Sequence, residues 1–204
     1  MVLERQSREY VLSRIRAGVL EQGFADLLRE AQCGDRMDRE GESHHGFYIA
    51  HDGRLDRIDL QKHSGGKSVM VYGQTELTRD LYEGRDRMQG RVIHNAEDVQ
   101  PHDLTSARPT VTYRQGDDVV SVECDFVVGA DGFHGVSRRS IPKTVLREYE
   151  KVYPFGWLGV LSRTKPVSPE LIYARHERGF ALCSLRSQVL SRYYIQVPLS
   201  DSVE

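Results

Sequence analysis

Residues 129–138 read Gly-Ala-Asp-Gly-Phe-His-Gly-Val-Ser-Arg, and this stretch decides how the rest of the chain is interpreted. It follows residues 119–128, where apolar and polar side chains alternate as in a strand, and it opens a helix expected to end near Pro142. Backbone amides at such a start, with small residues that allow close approach, suit a pyrophosphate. Asp131 can accept a hydrogen bond from a ribose or from an amide. An ordinary Asp-Gly turn is the alternative interpretation of the pattern.

An acid near the first residue is the second signal. Glu4 ends a short apolar strand, and in dinucleotide-binding folds a strand-end acid bonds the ribose about 20 residues after a G-x-G-x-x-G fingerprint. No such fingerprint precedes Glu4, and strand-end acids are common, so this signal assigns no ligand by itself. Residues 64–68 look like a phosphate loop, but Gln61 stands where the P-loop needs its first glycine.

The hydrophobic pattern predicts an α/β (α+β) chain that changes character near residue 150. Over residues 7–31 it predicts a helix, a turn and a second helix, with breaks at Gly18 and Gly23. Hairpins are expected around Asp52-Gly53 and around residues 115–117. After residue 151, closely spaced strand segments with little helical pattern predict an antiparallel sheet.

Composition limits the partners that we expect. The chain has 28 Lys+Arg and 30 Asp+Glu, a net charge of −2, and 23 of its cations are arginine. This balance predicts no binding to nucleic acid or to an anionic membrane, because both need a concentrated positive field. No segment approaches the ~20 apolar residues of a membrane span. The 3 cysteines lack CxxC spacing, so we expect reduced thiols, no metal site and a cytoplasmic protein.

A series of segments carries a resemblance to a known family. They are Glu4-Arg5-Gln6 and residues 14–23, 72–76, 129–138, 153–159, 170–174, 178–184 and 191–198. In this order they resemble the flavin-dependent aromatic hydroxylases, the class A flavoprotein monooxygenases, over essentially the whole chain. The resemblance implies a partial Rossmann-like FAD-binding domain over residues 1–150. This domain lacks the N-terminal strand–helix unit with its G-x-G-x-x-G, so we expect the chain to be an internal fragment. It implies the first half of an antiparallel-sheet substrate domain over residues 151–204.

The resemblance also implies an activity. Within the family the segments are most similar to enzymes that convert 4-hydroxybenzoate to 3,4-dihydroxybenzoate with FAD, NADPH (or alternatively NADH) and O₂. Two alternatives stay open: a related flavin hydroxylase of another aromatic acid, and a truncated, non-catalytic ligand-binding or interaction module. The full-length form is expected to be a homodimer, and the present chain alone is expected to bind FAD poorly and not to hydroxylate.

Cofactor residues follow from the same resemblance. Glu4 would hold the adenosine ribose, Gly18 and Val19 would approach the isoalloxazine edge, and Gln74 would lie near the pyrophosphate. The implied FAD-binding residues are Glu4, Arg14, Arg16, Gly18, Val19, Gln74 and Asp131. The implied NAD(P)H-binding residues are Arg5, Gln6, Tyr10, Arg14, Arg16 and His134.

Substrate residues complete the implied site. Ser184, Arg186 and Tyr194 would bind the substrate carboxylate, since a guanidinium with two hydroxyls is a sensible receptor for a planar anion. Tyr173 would bond the substrate phenol and help to ionise it. Arg192 would lie near the flavin, and His44 would end the proton path to solvent. Without the resemblance, the sequence favours the interpretation of Tyr173 and Tyr194 as core aromatics and of Arg186 as a surface cation.

Overall fold

The computed structural model describes residues 1–14 and 17–202. Its helices are α1 (Arg8–Ser13), α2 (Gln22–Glu30), α3 (Asp35–Glu40), α4 (Leu60–Ser64), α5 (Gln74–Arg87) and α6 (Val136–Arg139). Its first strands are β1 (Val2–Leu3), β2 (Val19–Glu21), β3 (Glu42–His44), β4 (Gly46–His51), β5 (Arg54–Asp59), β6 (Val69–Val71) and β7 (Val92–Ile93). The later strands are β8 (Glu97–His102), β9 (Thr110–Gln115), β10 (Asp118–Glu123), β11 (Phe155–Ser162), β12 (Leu171–His176), β13 (Gly179–Ser187) and β14 (Leu190–Pro198).

These elements form two compact units, which are described separately. The first unit comprises Met1–Arg14 and Arg85–Lys151. The second comprises the described residues of Ile15–Gly84 and Val152–Glu204. The sequence-based division into domains at residue 150 remains a prediction.

The first unit contains two small sheets. β1 pairs in parallel with β7, and β9 lies between β8 and β10 in an antiparallel sheet. The β9–β10 hairpin turns at Gly116, whose φ of +63° suits a residue without a Cβ. The sequence predicted that the return strand continues to Val128, but β10 ends at Glu123. Beyond it Phe126 and Val128 are 87% and 86% exposed, so their alternation has no buried side to sustain a strand.

The second unit begins with a sheet in the order β2-β6-β3, against which α2 packs. The core of this region contains Leu20, Ala25, Leu28, Met37, Tyr72 and Leu77. The prediction of a helix, a turn and a second helix over residues 7–31 is wrong, because β2 lies between α1 and α2. β2 pairs antiparallel with β6, and this long-range pairing overrides the helical periodicity of the local sequence.

The largest sheet of the second unit has the order β11-β14-β13-β12-β4-β5. The strand segments predicted after residue 151 are present, and β11 to β14 pair antiparallel as expected. The hairpin predicted at Asp52-Gly53 is also present, with φ of +48° and +75° at the turn. The sequence did not predict that this hairpin joins the sheet through a parallel pairing of β4 with β12.

Candidate functional site

One side of the large sheet collects most of the predicted substrate residues. Tyr173 on β12 pairs with Leu182 on β13, which in turn pairs with Tyr194 on β14. Ser184 lies two residues beyond Leu182 and pairs with Arg192. Because paired residues, and residues two apart on a strand, share a side of the sheet, Tyr173, Ser184, Arg192 and Tyr194 lie on the same side.

Three of these residues are in direct contact. The Ser184 hydroxyl donates to the Arg192 carbonyl oxygen at 3.2 Å. The Arg192 guanidinium carbon lies 4.5 Å from the centre of the Tyr194 ring, in a cation–π arrangement. The Ser184 side chain is therefore already ordered by a hydrogen bond. A ligand anion that accepts from this hydroxyl would replace the Arg192 carbonyl as its acceptor.

Arg186 follows on the same strand, close to a register shift of β13 between Leu185 and Ser187. Burial lowers the pKa of the Arg186 guanidinium, and the nearby positive charge of Arg192 lowers it further. The group remains a cation at neutral pH because arginine is always protonated in proteins. Two positive charges of this kind on neighbouring strands favour an anionic ligand.

Aromatic rings line the same side of the sheet beside Tyr173. Phe47 meets the Tyr173 ring edge-on at 5.2 Å between centroids, and Phe180 lies 6.0 Å from it. Trp157 packs edge-on against Phe180 at 5.8 Å. Such edge-to-face and tilted pairs stabilise one another and form a surface against which a further aromatic ring can pack.

Gly18 lies against this site from the β2 side. Its carbonyl oxygen accepts from the Tyr72 amide at 2.8 Å, and the neighbouring Ala17 carbonyl accepts from the Gln74 amide at 3.2 Å. A Cβ added at Gly18 would overlap Nη1 of Arg186 and lie 2.6 Å from the Tyr72 carbonyl oxygen. Only glycine fits this close approach to the Tyr72 and Gly73 backbone. Val19 follows as the 47% exposed first residue of β2.

His44 is the last residue of β3 and is 2% exposed. Within residues 1–14 and 17–202, neither of its ring nitrogens has a hydrogen-bond partner. Burial holds the pKa of His44 below its usual range, although the nearby carboxylates of Glu170 and Glu42 act in the opposite direction. Glu170 itself is held by Arg57 through two hydrogen bonds of 2.7 and 2.8 Å, which lower the pKa of the Glu170 carboxyl.

Glu4 follows β1 in the first unit. Its amide donates to Ile93 at 2.8 Å, its carbonyl accepts from Ala96 at 3.0 Å, and its carboxylate oxygen Oε1 accepts from the Gln6 amide at 2.8 Å. These contacts fix the carboxylate at the strand end, as expected for an acid that bonds a ribose. Arg5 is exposed in the turn that follows.

The 129–138 loop, also in the first unit, is organised by Asp131. Its carboxylate accepts from the Ser137 amide at 2.9 Å, and this hydrogen bond lowers the pKa of the Asp131 carboxyl. A Cβ added at Gly135 would overlap that carboxylate, so the glycine permits the turn to close.

The remaining predicted cofactor residues lie on exposed or half-buried surface of the first unit. The Arg14 guanidinium lies 5.4 Å from the centre of the Tyr10 ring, at the end of α1. The Ser7 hydroxyl begins that helix by accepting from the Tyr10 amide at 3.1 Å. His134 packs edge-on against Phe133. Arg16, predicted to bind both FAD and NAD(P)H, lies outside the described residues.

A buried polar cluster in the second unit escaped the sequence analysis. It consists of Arg36, Tyr72, Glu76 and Asp80, and is called the Asp80 cluster below. Asp80 accepts from the Tyr72 hydroxyl at 2.7 Å and from Arg36 Nε at 2.8 Å. Burial, together with the bond to Asp80, raises the pKa of Tyr72 well above its usual range. The sequence did contain a signal for this cluster. The helical spacing of Leu77, Asp80 and Gly84 places Asp80 on the buried side of α5.

Other kinds of site find little support in the described part of the chain. No group of three or more His, Cys, Asp or Glu side chains there is arranged to hold a metal ion. No helix there is both long and apolar enough to cross a membrane. An open cavity of about 430 Å³ lies at the turns of two hairpins, lined by residues 50–54 and 175–177, and contains none of the predicted site residues.

Comparisons with known proteins show what the whole chain is similar to. The FAD binding domain family matches residues 1–204. The p-hydroxybenzoate hydroxylase of Acinetobacter baylyi is 49% identical over 204 residues, which are 100% of this chain and 50% of that protein. The chain therefore spans about half the length of this curated relative.

Solved structures show the same fold with different chemistries. The p-nitrophenol 4-monooxygenase PnpA of Pseudomonas putida is 16% identical with a TM-score of 0.79, covering 99% of this chain and 52% of that chain. CmlS, a flavin-dependent halogenase, is 21% identical with a TM-score of 0.73, covering 97% of this chain and 37% of that chain. At these identities the likeness concerns the fold alone, since one fold hosts several reactions.

Proposed function

Because the chain belongs to the FAD binding domain family, we propose that it is part of an FAD-dependent monooxygenase that hydroxylates 4-hydroxybenzoate to 3,4-dihydroxybenzoate with NAD(P)H and O₂. The carrying observation is that Ser184, Arg192 and Tyr194 share one side of the large sheet with Tyr173. Tyr173 and Tyr194 stand two strands apart, about 10 Å between their backbones. That separation leaves room for a ring with a polar group at each end.

The carboxylate end is assigned to Ser184, Arg186 and Tyr194. A guanidinium binds a planar carboxylate through two parallel N–H donors, and hydroxyls can donate to the same oxygens. The low pKa that burial and Arg192 impose on Arg186 supports this assignment, because an anion beside it relieves the repulsion.

The phenol end is assigned to Tyr173. Its hydroxyl would donate a hydrogen bond to the phenol oxygen of the substrate and so favour the phenolate, which makes the ring electron-rich. The rings of Phe47 and Phe180 beside Tyr173 would hold the substrate ring in place and exclude water. His44 is proposed as the far end of the path by which the phenol proton leaves.

The cofactor residues fit FAD in their local chemistry. Gly18 presents backbone without a side chain, and Val19 follows it in the chain. Gln74 is the first residue of α5, and its amide donates to the neighbouring Ala17 carbonyl. Glu4 offers a carboxylate at a strand end for a ribose, and Asp131 fixes a glycine-rich turn whose amides suit a phosphate. The other residues assigned to FAD are Arg14 and Arg16. Bound FAD would supply the activated oxygen that enters the aromatic ring. Arg192 would lie near the flavin and favour the closed position of the flavin ring.

The nicotinamide nucleotide is assigned to the exposed surface near α1. Arg5, Tyr10 and Arg14 present cations and a ring there, which suits phosphates and a base. Gln6, Arg16 and His134 are assigned to the same ligand. NADPH is favoured by Arg5 and Tyr10, and NADH is the alternative to be measured.

The experiment compares the 204-residue chain with a version extended through the neighbouring reading frame. Flavin absorbance reports FAD binding, and oxidation of NADPH or NADH with and without 4-hydroxybenzoate reports the reaction, with 3,4-dihydroxybenzoate measured as product. We expect the extended protein to bind FAD and form this product. A yellow extended protein that responds to another aromatic acid instead would contradict the substrate. An extended protein without flavin would contradict the whole proposal.

A variant pair tests the carboxylate receptor. Arg186→Lys keeps the charge but loses the two-pronged donor, so the KM for 4-hydroxybenzoate should rise at least tenfold. Arg175→Lys is the matched control, because Arg175 is an exposed arginine on β12. Its KM should stay within twofold of the unchanged enzyme. Equal effects of the two substitutions would remove Arg186 from the proposed site.

A further inference from the structure

Asp80 is a buried carboxylate that depends on its neighbours. Its side chain is 8% exposed and accepts from the Tyr72 hydroxyl, from Arg36 Nε and from Arg36 Nη2, the last at 2.5 Å. A carboxylate removed from water is stable only when donors replace the lost hydration. The loss of any one donor therefore disturbs the position of the others.

Tyr72 connects this carboxylate to the backbone beside Gly18. Its hydroxyl is bound by Asp80, while its own amide donates to the Gly18 carbonyl at 2.8 Å. Its carbonyl oxygen lies so close to Gly18 that a Cβ there would be 2.6 Å away. Tyr72 is 4% exposed, so its ring is held by packing as well as by the hydroxyl. The same residue thus carries the hydroxyl that Asp80 holds and the backbone groups that contact Gly18.

Arg36 ties the start of α5 to α3. Its Nη1 lies 2.8 Å from a Glu76 carboxylate oxygen, and its Nη2 donates to the Glu76 carbonyl at 3.1 Å. Glu76 is in the first turn of α5, two residues after Gln74, whose amide donates to Ala17. Tyr72 therefore contacts the Gly18 backbone directly, and Arg36 is connected to the neighbouring Ala17 through the start of α5.

The Gly18 backbone in turn lies against Arg186. A Cβ on Gly18 would overlap Nη1 of that guanidinium, so the two groups are in close contact. The Asp80 cluster has no predicted ligand of its own, yet it sets the position of backbone assigned to FAD and of the cation assigned to the carboxylate. We propose that Tyr72, Asp80 and Arg36 are positioning residues for the flavin and substrate site, an inference that rests on the function proposed above.

The test separates positioning from a general contribution to folding. Tyr72→Phe removes one hydroxyl and keeps the ring, and Asp80→Asn keeps the shape and removes the charge. Asp38→Asn is the matched control, because Asp38 is on α3 like Arg36. It makes its ion pair with Arg29, at 2.7 Å, on the exposed surface. Each variant is made in the extended protein, and its FAD dissociation constant, flavin absorption band and thermal midpoint are measured.

We expect Tyr72→Phe to raise the FAD dissociation constant about tenfold at a temperature where the variant is fully folded, since a hydrogen bond to a charged group is lost. Asp80→Asn should raise it at least as much, and both should shift the flavin absorption band. Asp38→Asn should lower the thermal midpoint slightly and leave FAD binding within twofold.

The possible failures are distinguishable. If the unsubstituted extended protein binds no FAD, the proposed function is contradicted and this inference falls with it. If that protein binds FAD, but Tyr72→Phe and Asp80→Asn bind it like Asp38→Asn, the positioning role is overturned while the proposed function stands. Lower thermal midpoints without a change in FAD affinity would count as the second result, because they show a role in folding only.

Discussion

Replacing Gly18 by alanine tests how closely the backbone packs beside the proposed site. The added Cβ would lie 2.6 Å from the Tyr72 carbonyl oxygen and 3.2 Å from the Gly73 Cα. It would also overlap Nη1 of Arg186. The guanidinium can turn away, but the two backbone atoms cannot, so the strand start must move.

The expected cost follows from these contacts. Overpacking of this kind destabilises a protein by about 1–3 kcal/mol. The Tyr72–Gly18 hydrogen bond must lengthen as the backbone moves, which adds roughly 1 kcal/mol. The smaller entropy of the unfolded alanine chain returns about 0.4–1 kcal/mol. We therefore expect Gly18→Ala to lower the free energy of unfolding by about 1–3.5 kcal/mol, or the thermal midpoint by roughly 2–14 °C.

Gly23→Ala is the matched control, and we expect it to raise the free energy of unfolding, whereas Gly18→Ala lowers it. Gly23 is in α2, and a Cβ added there meets no atom within 4 Å. Alanine should stabilise this helix by up to about 1 kcal/mol, because glycine loses more freedom on folding. Urea unfolding of the 204-residue chain, followed by far-ultraviolet circular dichroism, measures both variants.

The result that refutes the packing argument is specific. If Gly18→Ala unfolds within about 0.5 kcal/mol of the unchanged chain, in the range of a neutral surface substitution, the close approach at Gly18 does not exist as described. If Gly23→Ala is destabilised as much as Gly18→Ala, helix α2 is misplaced and the comparison loses its basis. Opposite signs for the two variants are the expected outcome.

Two further predictions concern titration and capping. Burial lowers the pKa of folded His44 despite Glu170 and Glu42, so below about pH 6.5 the unfolded chain binds the extra proton. The contribution of His44 to stability should therefore be complete above that pH and be lost progressively as the pH falls below it. His44→Gln should flatten this slope in urea midpoints, and an unchanged slope would contradict the assignment. Asp131→Ala should cost about 1 kcal/mol, because the Ser137 amide loses its acceptor, whereas Asp131→Asn should cost much less. Equal losses in thermal midpoint would indicate that the charge, and not the hydrogen bond, matters.

Features with a local chemical signal were predictable from the sequence. Asp52-Gly53 is a two-residue turn whose residues tolerate positive φ, and the hairpin forms there. The strands β11 to β14 carry apolar and aromatic residues between turn residues, so their existence follows from local preference. The segments that resemble the family also brought Tyr173, Ser184 and Tyr194 into one hypothesis before their shared side of the sheet was known.

Features fixed by distant pairing were not predictable. The apolar residues before and after residues 19–21 are spaced as in a helix. Residues 19–21 themselves form a strand because they pair with β6, which is distant in sequence. The parallel pairing of β4 with β12 joins residues more than a hundred positions apart, which no local pattern specifies. The Asp80 cluster is of the same kind, since Arg36 and Asp80 look like ordinary surface charges until α3 and α5 are packed together.

The fold does not decide the chemistry, because a monooxygenase and a halogenase share it with this chain. What separates such proteins must be carried by side chains on the common scaffold, and in the site proposed above the main feature is electrostatic. Arg186 is half-buried near a second cation, Arg192, and both burial and that charge lower its pKa. An anion bound beside the two cations would be stabilised by both charges. Under the proposed function, the aromatic rings beside Tyr173 would favour an anion that carries a flat ring.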